Sequence, residues 1–136
     1  MPTTRTERLE IHSSDDVVKV RQQARTFAVE AGLSLVDQTK IITAASELAR
    51  NTLDYGGGGI VHMDVVEDGG RRGLRLKFED SGPGIADVAQ AMRDGFTTGS
   101  GLGLGLGGAK RLSSEFAIDS KPGVGTKITI ARWKGL

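Results

Sequence analysis

Three groups of residues in this chain have types and spacings that can do chemistry. The first is Glu47-Leu48-Ala49-Arg50-Asn51, in a stretch of helical periodicity. Four positions on a helix turn through about 40°, so Glu47 and Asn51 share one face. Their stripe flanks the apolar one through Ala44, at the margin of the surface to be buried. A carboxylate and an amide oxygen so placed can serve a hydroxyl proton and a Mg²⁺ ion. A solvated helix face carrying a Glu–Asn pair has the same composition.

The second group is Asp80-Ser81-Gly82-Pro83-Gly84, directly after an alternating segment. An acid at a strand end can accept a hydrogen bond while Gly-x-Gly lets the backbone pass close to a ligand. An adenine amino group is a suitable donor. An ordinary Asx turn uses the same residues.

The third group is the run Gly99-Ser100-Gly101-Leu102-Gly103-Leu104-Gly105-Leu106-Gly107-Gly108. Gly103, Gly105 and Gly108 match G-x-G-x-x-G in form, but no apolar strand precedes them and no acid lies about 20 positions beyond, which excludes the dinucleotide fold. The chain has no Gly-Lys pair, so no Walker A loop, and no Val-Ala-Ile-Lys or His-Arg-Asp element of a eukaryotic-type protein kinase. What remains is a glycine loop entering a helix, where backbone N–H groups and the helix dipole favour an anion. Lys110 and Arg111 follow one turn later, facing phosphate or water. A linker, or a tightly packed helix, is the alternative.

The elements that must position these groups are readable from pattern. A strand near 8–12 leads to Ser13-Ser14-Asp15-Asp16, a capping box. Val17, Val20, Ala24, Phe27, Ala28 and Ala31 then recur at helical spacing, and Gly32 ends the helix. A second box, Ser34 to Asp37, opens a helix with the stripe Ile41, Ala45, Leu48, Thr52. Gly56 to Gly59 end it, four glycines where one would do. Strands follow at 60–67 and 74–78, joined by a six-residue turn, Asp68 to Gly73. Short helices are expected at 87–92 and 106–112, and a last hairpin at 116–120 and 126–133. The order predicts an α+β, two-layer α/β sandwich: a mixed, mainly antiparallel sheet with helices on one face.

Composition narrows the function classes. The chain has 136 residues, a net charge of +1 from 18 basic and 17 acidic side chains, and no cysteine. Thiol catalysis, disulfides and cysteine-held zinc are excluded. His12 and His62 match no metal-ligand spacing. Balanced charge points to neither nucleic acid nor membrane as a partner. No signal peptide or spanning stretch is present in pattern, which predicts a cytoplasmic protein. Twenty glycines are about 15% of the chain, against roughly 7% on average.

Taken in order, Glu-x-x-x-Asn on a helix, Asp-x-Gly-x-Gly after a strand, and a Gly-rich run before a helix resemble the N, G1 and G2 boxes of the GHKL (Bergerat) ATP-binding fold. Gly123-Val124-Gly125-Thr126 is similar to that family's late Gly-Thr element. Residues 1–136 leave no room for the accessory domains of gyrase-, Hsp90- or MutL-like members, or for the phospho-acceptor hairpin of sensor histidine kinases. The wording of Ser46 to Asn51, Glu79 to Ile85, Asp94 to Thr98 and Leu102 to Leu106 resembles the small anti-sigma-type serine/threonine kinases, and among them the stressosome switch kinases.

The resemblance implies a single ATP-binding kinase domain using ATP and Mg²⁺. It assigns Glu47 as general base, Asn51 as Mg²⁺ ligand and Asp80 as acceptor for the adenine amine. Gly82 and Gly84 would pass beneath the base, and Thr126 would hold its edge. Gly101, Gly103 and Gly105 would wrap the phosphates, with Leu106 and Lys110 completing the cofactor-binding set. The implied partners are STAS-domain substrate proteins of a signalling scaffold and a downstream output protein such as a phosphatase. The alternative is an anti-sigma factor that sequesters a sigma factor.

Overall fold

Both long helices begin where a serine caps them. In the computed structural model, which describes residues 3–85, 88, 92 and 105–135, α1 (Ser14–Glu30) and α2 (Leu35–Asp54) follow strand β1 (Thr3–Ile11). Ser13 Oγ accepts the Asp16 N–H at 3.2 Å and Ser34 Oγ accepts the Asp37 N–H at 3.1 Å. Each bond satisfies one orphan donor of a first turn. Neither acid closes the reciprocal half of a capping box by the bonds described. Asp16 accepts the His12 N–H at 2.8 Å, one residue further back. Asp37 instead meets Arg132 (Nη2 to Oδ1, 2.8 Å), a pair almost wholly buried.

Beyond α2 come β2 (Gly59–Asp68), β3 (Arg71–Asp80), α3 (Gly105–Arg111), β4 (Glu115–Lys121) and β5 (Gly125–Trp133). The strands form a five-stranded sheet in the order β1-β2-β3-β5-β4. The expected two-layer α+β architecture is present, with one correction: each of the four pairings is antiparallel, not mixed. The crossover from β3 to β4 does bring two parallel-running strands into the sheet. The β4–β5 hairpin then places β5 between them, so they never pair with each other.

Two further boundaries differ from the sequence expectation. β1 starts at Thr3, because its outer residues are an exposed edge with no apolar signature. The turn between β2 and β3 has two residues, Gly69 and Gly70, both at positive φ, instead of six. That is the backbone a tight, twist-matched hairpin requires. Of the short helix expected over 87–92, only Val88 and Met92 are described; the Met92 N–H donates to the Val88 carbonyl at 3.0 Å.

The core lies between the helices and one sheet face. Val17, Val20, Ala24 and Phe27 of α1, with Ile41, Ala45 and Leu48 of α2, pack on Val61, Met63, Leu74, Leu76, Phe78, Ile128 and Ile130. Full burial of each large apolar side chain contributes roughly 1.5–3 kcal/mol, which fixes the helix layer on that face. The opposite face carries a small separate cluster. Trp133, Val66 and Ala131 are buried there. The Arg71 guanidinium lies 4.3 Å from the Trp133 ring, and the indole N–H donates to Glu115 at 2.7 Å.

Candidate functional site

Asp80 is the last residue of β3 and stands opposite Thr126, near the start of β5. Its side chain is half-buried, and its Oδ1 accepts the Gly82 N–H at 2.9 Å. The Asx turn is therefore real, and it coexists with the ligand-acceptor reading, because a carboxylate has about four lone-pair sites. Burial pushes the Asp80 carboxyl above its ordinary pKa, while hydrogen bonds from the Gly82 and Thr126 backbone oppose the rise. A half-desolvated carboxylate held by backbone N–H groups is a directed acceptor for one more donor.

The end of α2 packs directly against this acid. A Cβ on Gly56 would lie 2.6 Å from both the Asp80 Cβ and Oδ2. A Cβ on Gly82 would lie 2.7 Å from the Gly56 carbonyl oxygen. Glycine at both places is a matter of space. Gly84 is held at φ +75° with its Cα against the β4–β5 turn, where a Cβ would sit 2.6 Å from the Lys121 carbonyl carbon. The Gly123 N–H reaches the Pro83 carbonyl at 2.8 Å. Thr126 is buried, and its hydroxyl lies 2.7 Å from the Ser120 hydroxyl.

Glu47 and Asn51 are half-buried on α2, beside the buried Ala44 and Leu48, as the helical angle requires. The Asn51 carbonyl accepts the N–H of Tyr55 at 2.9 Å and of Gly56 at 3.2 Å. One helical turn thus carries the chain from Asn51 to the glycine that touches Asp80. The structure brings together Asp80, Gly82, Gly84, Thr126 and the Asn51 turn. Gly105 and Leu106 begin α3, which packs on α2. The Leu106 side chain is buried in the core, so only its backbone N–H, an orphan donor of the first turn, can face a ligand. Lys110 is exposed in the last turn of α3. Gly101 and Gly103 lie outside the described residues.

A cleft of about 690 Å³ opens at this end of the sheet, lined by Gly56 to Gly59, Asp80, Ser81, Gly125, Thr126 and His12. It runs toward the outer-face rung Ile60, Glu79, Lys127 and Asp119, and neither Glu47 nor Asn51 lines it. Asp80 and Thr126 therefore sit at the divide between this cleft and the helix side, where the α2 carboxylate and amide lie. Among the described residues no three His, Asp or Glu side chains group to hold a metal ion. A Mg²⁺ bound mainly through substrate phosphates needs no such cage, and Asn51 alone fits that pattern.

Three residues of the site escape sequence reasoning. Gly56 is hidden in a four-glycine run that reads as a helix stop. Tyr55 and Ser120 carry no motif; both hydroxyls bond the segment after Asp80.

Comparison with known proteins identifies the family. Residues 36–134 match the family model described as histidine kinase-, DNA gyrase B-, and HSP90-like ATPase. The chain is 48% identical over 118 residues to the serine/threonine-protein kinase RsbT of Bacillus subtilis, covering 87% of this chain and 89% of that one. It is 26% identical over 121 residues to an anti-sigma F factor of a Thermoanaerobacter species, covering 85% and 83%. In three dimensions it resembles the crystal structure of the RsbU and RsbW domains of a Mycobacterium tuberculosis protein. The TM-score is 0.66 at 23% identity, and the match spans 95% of this chain but 32% of that one. With residues 36–134 matching that family model and a relative 48% identical over most of both chains, the chain belongs to the histidine kinase-, DNA gyrase B- and HSP90-like (GHKL) ATPases.

Proposed function

We propose that residues 1–136 form a single Mg²⁺-ATP-dependent protein serine/threonine kinase domain of the switch type. The observation that supports this reading is the contact of the α2 end with the Asp80 loop: Gly56, whose N–H is bonded to the Asn51 carbonyl, packs against the Asp80 side chain. The 48% identity to a serine/threonine-protein kinase over most of both chains supports it. ATP supplies the phosphoryl group, and Mg²⁺ neutralises phosphate charge during transfer, which is mostly a matter of positioning.

In this reading Asp80 accepts the adenine amine, Gly82 and Gly84 let the loop pack closely on Gly56 and Lys121 as it passes beneath the base, and Thr126 holds the base edge. Asn51 supplies the protein ligand to Mg²⁺, and Glu47 takes the proton of the acceptor hydroxyl. Gly101, Gly103, Gly105 and the Leu106 N–H wrap the phosphates, with Lys110 adding charge at their outer edge. Substrates are Ser or Thr residues of STAS-domain proteins, and release from them frees the kinase to activate an output protein such as a phosphatase. No described helix is long and apolar enough to cross a membrane, in keeping with action in the cytoplasm.

The test is transfer of the γ-phosphoryl group from ATP to a purified STAS-domain protein. Glu47→Gln should bind ATP and fail to transfer, and Asn51→Ala should lose the Mg²⁺-dependent part of binding. Wild-type transfer by both variants would overturn the assignment. Relatives named anti-sigma F factor, at 26–29% identity, supply the second reading. Recovery of a sigma factor in place of a STAS protein would select it.

A further inference from the structure

The peptide group joining Gly84 to Ile85 is held at both ends by side-chain hydroxyls from different layers. Tyr55, just past the end of α2, donates its phenolic O–H to the Gly84 carbonyl at 2.8 Å. Ser120, on the edge strand β4, accepts the Ile85 N–H at 2.8 Å. Each of the two residues is tied in turn to a proposed ligand residue, Tyr55 through its backbone and Ser120 through its hydroxyl. The Tyr55 N–H donates to the Asn51 carbonyl at 2.9 Å, and the Ser120 hydroxyl lies 2.7 Å from that of Thr126. Hydrogen bonds and the Tyr55 side chain itself thus link the Asn51 backbone, the 84–85 peptide, Ser120 and Thr126.

We infer that Tyr55 and Ser120 are positioning residues that lock the orientation of the 84–85 peptide and so join the metal half of the site to its base half. The inference rests on the ATP reading above. A peptide group with carbonyl and N–H both bonded cannot rotate without losing two hydrogen bonds. Rotation would also move Gly84, which already packs as closely against the Lys121 carbonyl as its missing Cβ allows. Neither hydroxyl needs to touch the nucleotide for this. Removing one leaves a part-buried backbone group without its partner, a change large enough to alter affinity several-fold.

The experiment compares wild type with Tyr55→Phe, Ser120→Ala and Ser120→Thr. ATP dissociation constants are measured by calorimetry in Mg²⁺ and in EDTA, and Tm by circular dichroism without nucleotide. Tyr55→Phe should weaken Mg²⁺-ATP binding about fivefold to tenfold and reduce the Mg²⁺-dependent gain at least threefold. Ser120→Ala should weaken ATP about fivefold in both buffers, and Ser120→Thr should restore it. Unchanged affinities in Tyr55→Phe and Ser120→Ala would overturn the inference. So would losses that are equal in both buffers for Tyr55→Phe, not restored by threonine, and matched by a fall in Tm, since that pattern marks a purely structural role. No ATP binding by the wild type would overturn the nucleotide reading itself.

Discussion

Gly56 has no side chain because the Asp80 carboxylate occupies the space where one would be. Its missing Cβ would fall 2.6 Å from the Asp80 Oδ2. Gly56 is buried and does not adopt positive φ, so alanine there suffers from lack of space and not from backbone strain. Gly56→Ala should therefore push the Asp80 carboxyl off its position. We expect at least a tenfold loss of ATP affinity by calorimetry, with a stability cost of about 1–3 kcal/mol typical of overpacking. Wild-type affinity in a folded Gly56→Ala protein would show that Asp80 has room the structure does not provide.

Asp80 itself makes a pH-dependent prediction. Burial raises its pKa in the folded protein, so ionising it costs the native state more than the unfolded chain. The native state then holds this proton to higher pH, and stability falls as pH rises through the raised pKa. Asp80→Asn removes that cost and can keep the Gly82 hydrogen bond. Its Tm relative to wild type should therefore rise between the ordinary carboxylate range and neutral pH. ATP binding should move the other way: absent or at least tenfold weaker in Asp80→Asn, and in the wild type strengthening as the carboxyl ionises. Melting curves and titrations from pH 4 to 7.5 check both signs.

The Arg132–Asp37 pair predicts a loss of stability distinct from any loss of function. Arg132 donates to Asp37 Oδ1 through Nε and Nη2 at 3.0 and 2.8 Å, and through Nη1 to the Leu112 carbonyl at 3.2 Å. It thereby bolts β5 to the first turn of α2 and to the end of α3. Arg132→Leu leaves a nearly buried carboxylate unpaired, at a cost of about 3–5 kcal/mol. Asp37→Asn keeps an acceptor and should cost less. Urea melts rank the two, and ATP affinity of the remaining folded protein should stay near wild type.

Trp133 offers a probe that separates folding from binding. It is the only tryptophan, it is 1% exposed, and it sits seven residues along β5 from Thr126, roughly 23 Å at strand rise. Its emission should shift to the red on unfolding and stay constant when ATP is added. A nucleotide-dependent shift would mean that the far end of the sheet responds to the site.

Much of this was readable from the chain. Ser13 and Ser34 cap the helices where their motifs fall, and the apolar stripes of α1 and α2 face the sheet as their periods require. The box Asp80 to Gly84 lies at a strand end as its pattern implied. What sequence did not show has physical causes. Thr3 to Thr6 form an exposed edge strand with no apolar residue, so no alternation marks it. Arg71 and Arg72 extend β3 through functions that hydropathy hides, one over the Trp133 ring and one paired with Glu67. The roles of Gly56 and Ser120 exist only as contacts in space, with residues 24 and 35 positions away. No local pattern encodes such a contact.

One rung of the sheet sets how freely this protein can change. Asp80 and Thr126 face each other across paired strands, yet they are 46 positions apart in the chain. The whole glycine-rich run lies between these two fixed posts. Each post is held by the backbone pairing of its own strand, β3 or β5, and not by the chain that joins them. In the kinase reading proposed above, the run assigned to the phosphates can vary in sequence while the two residues assigned to the base remain in register.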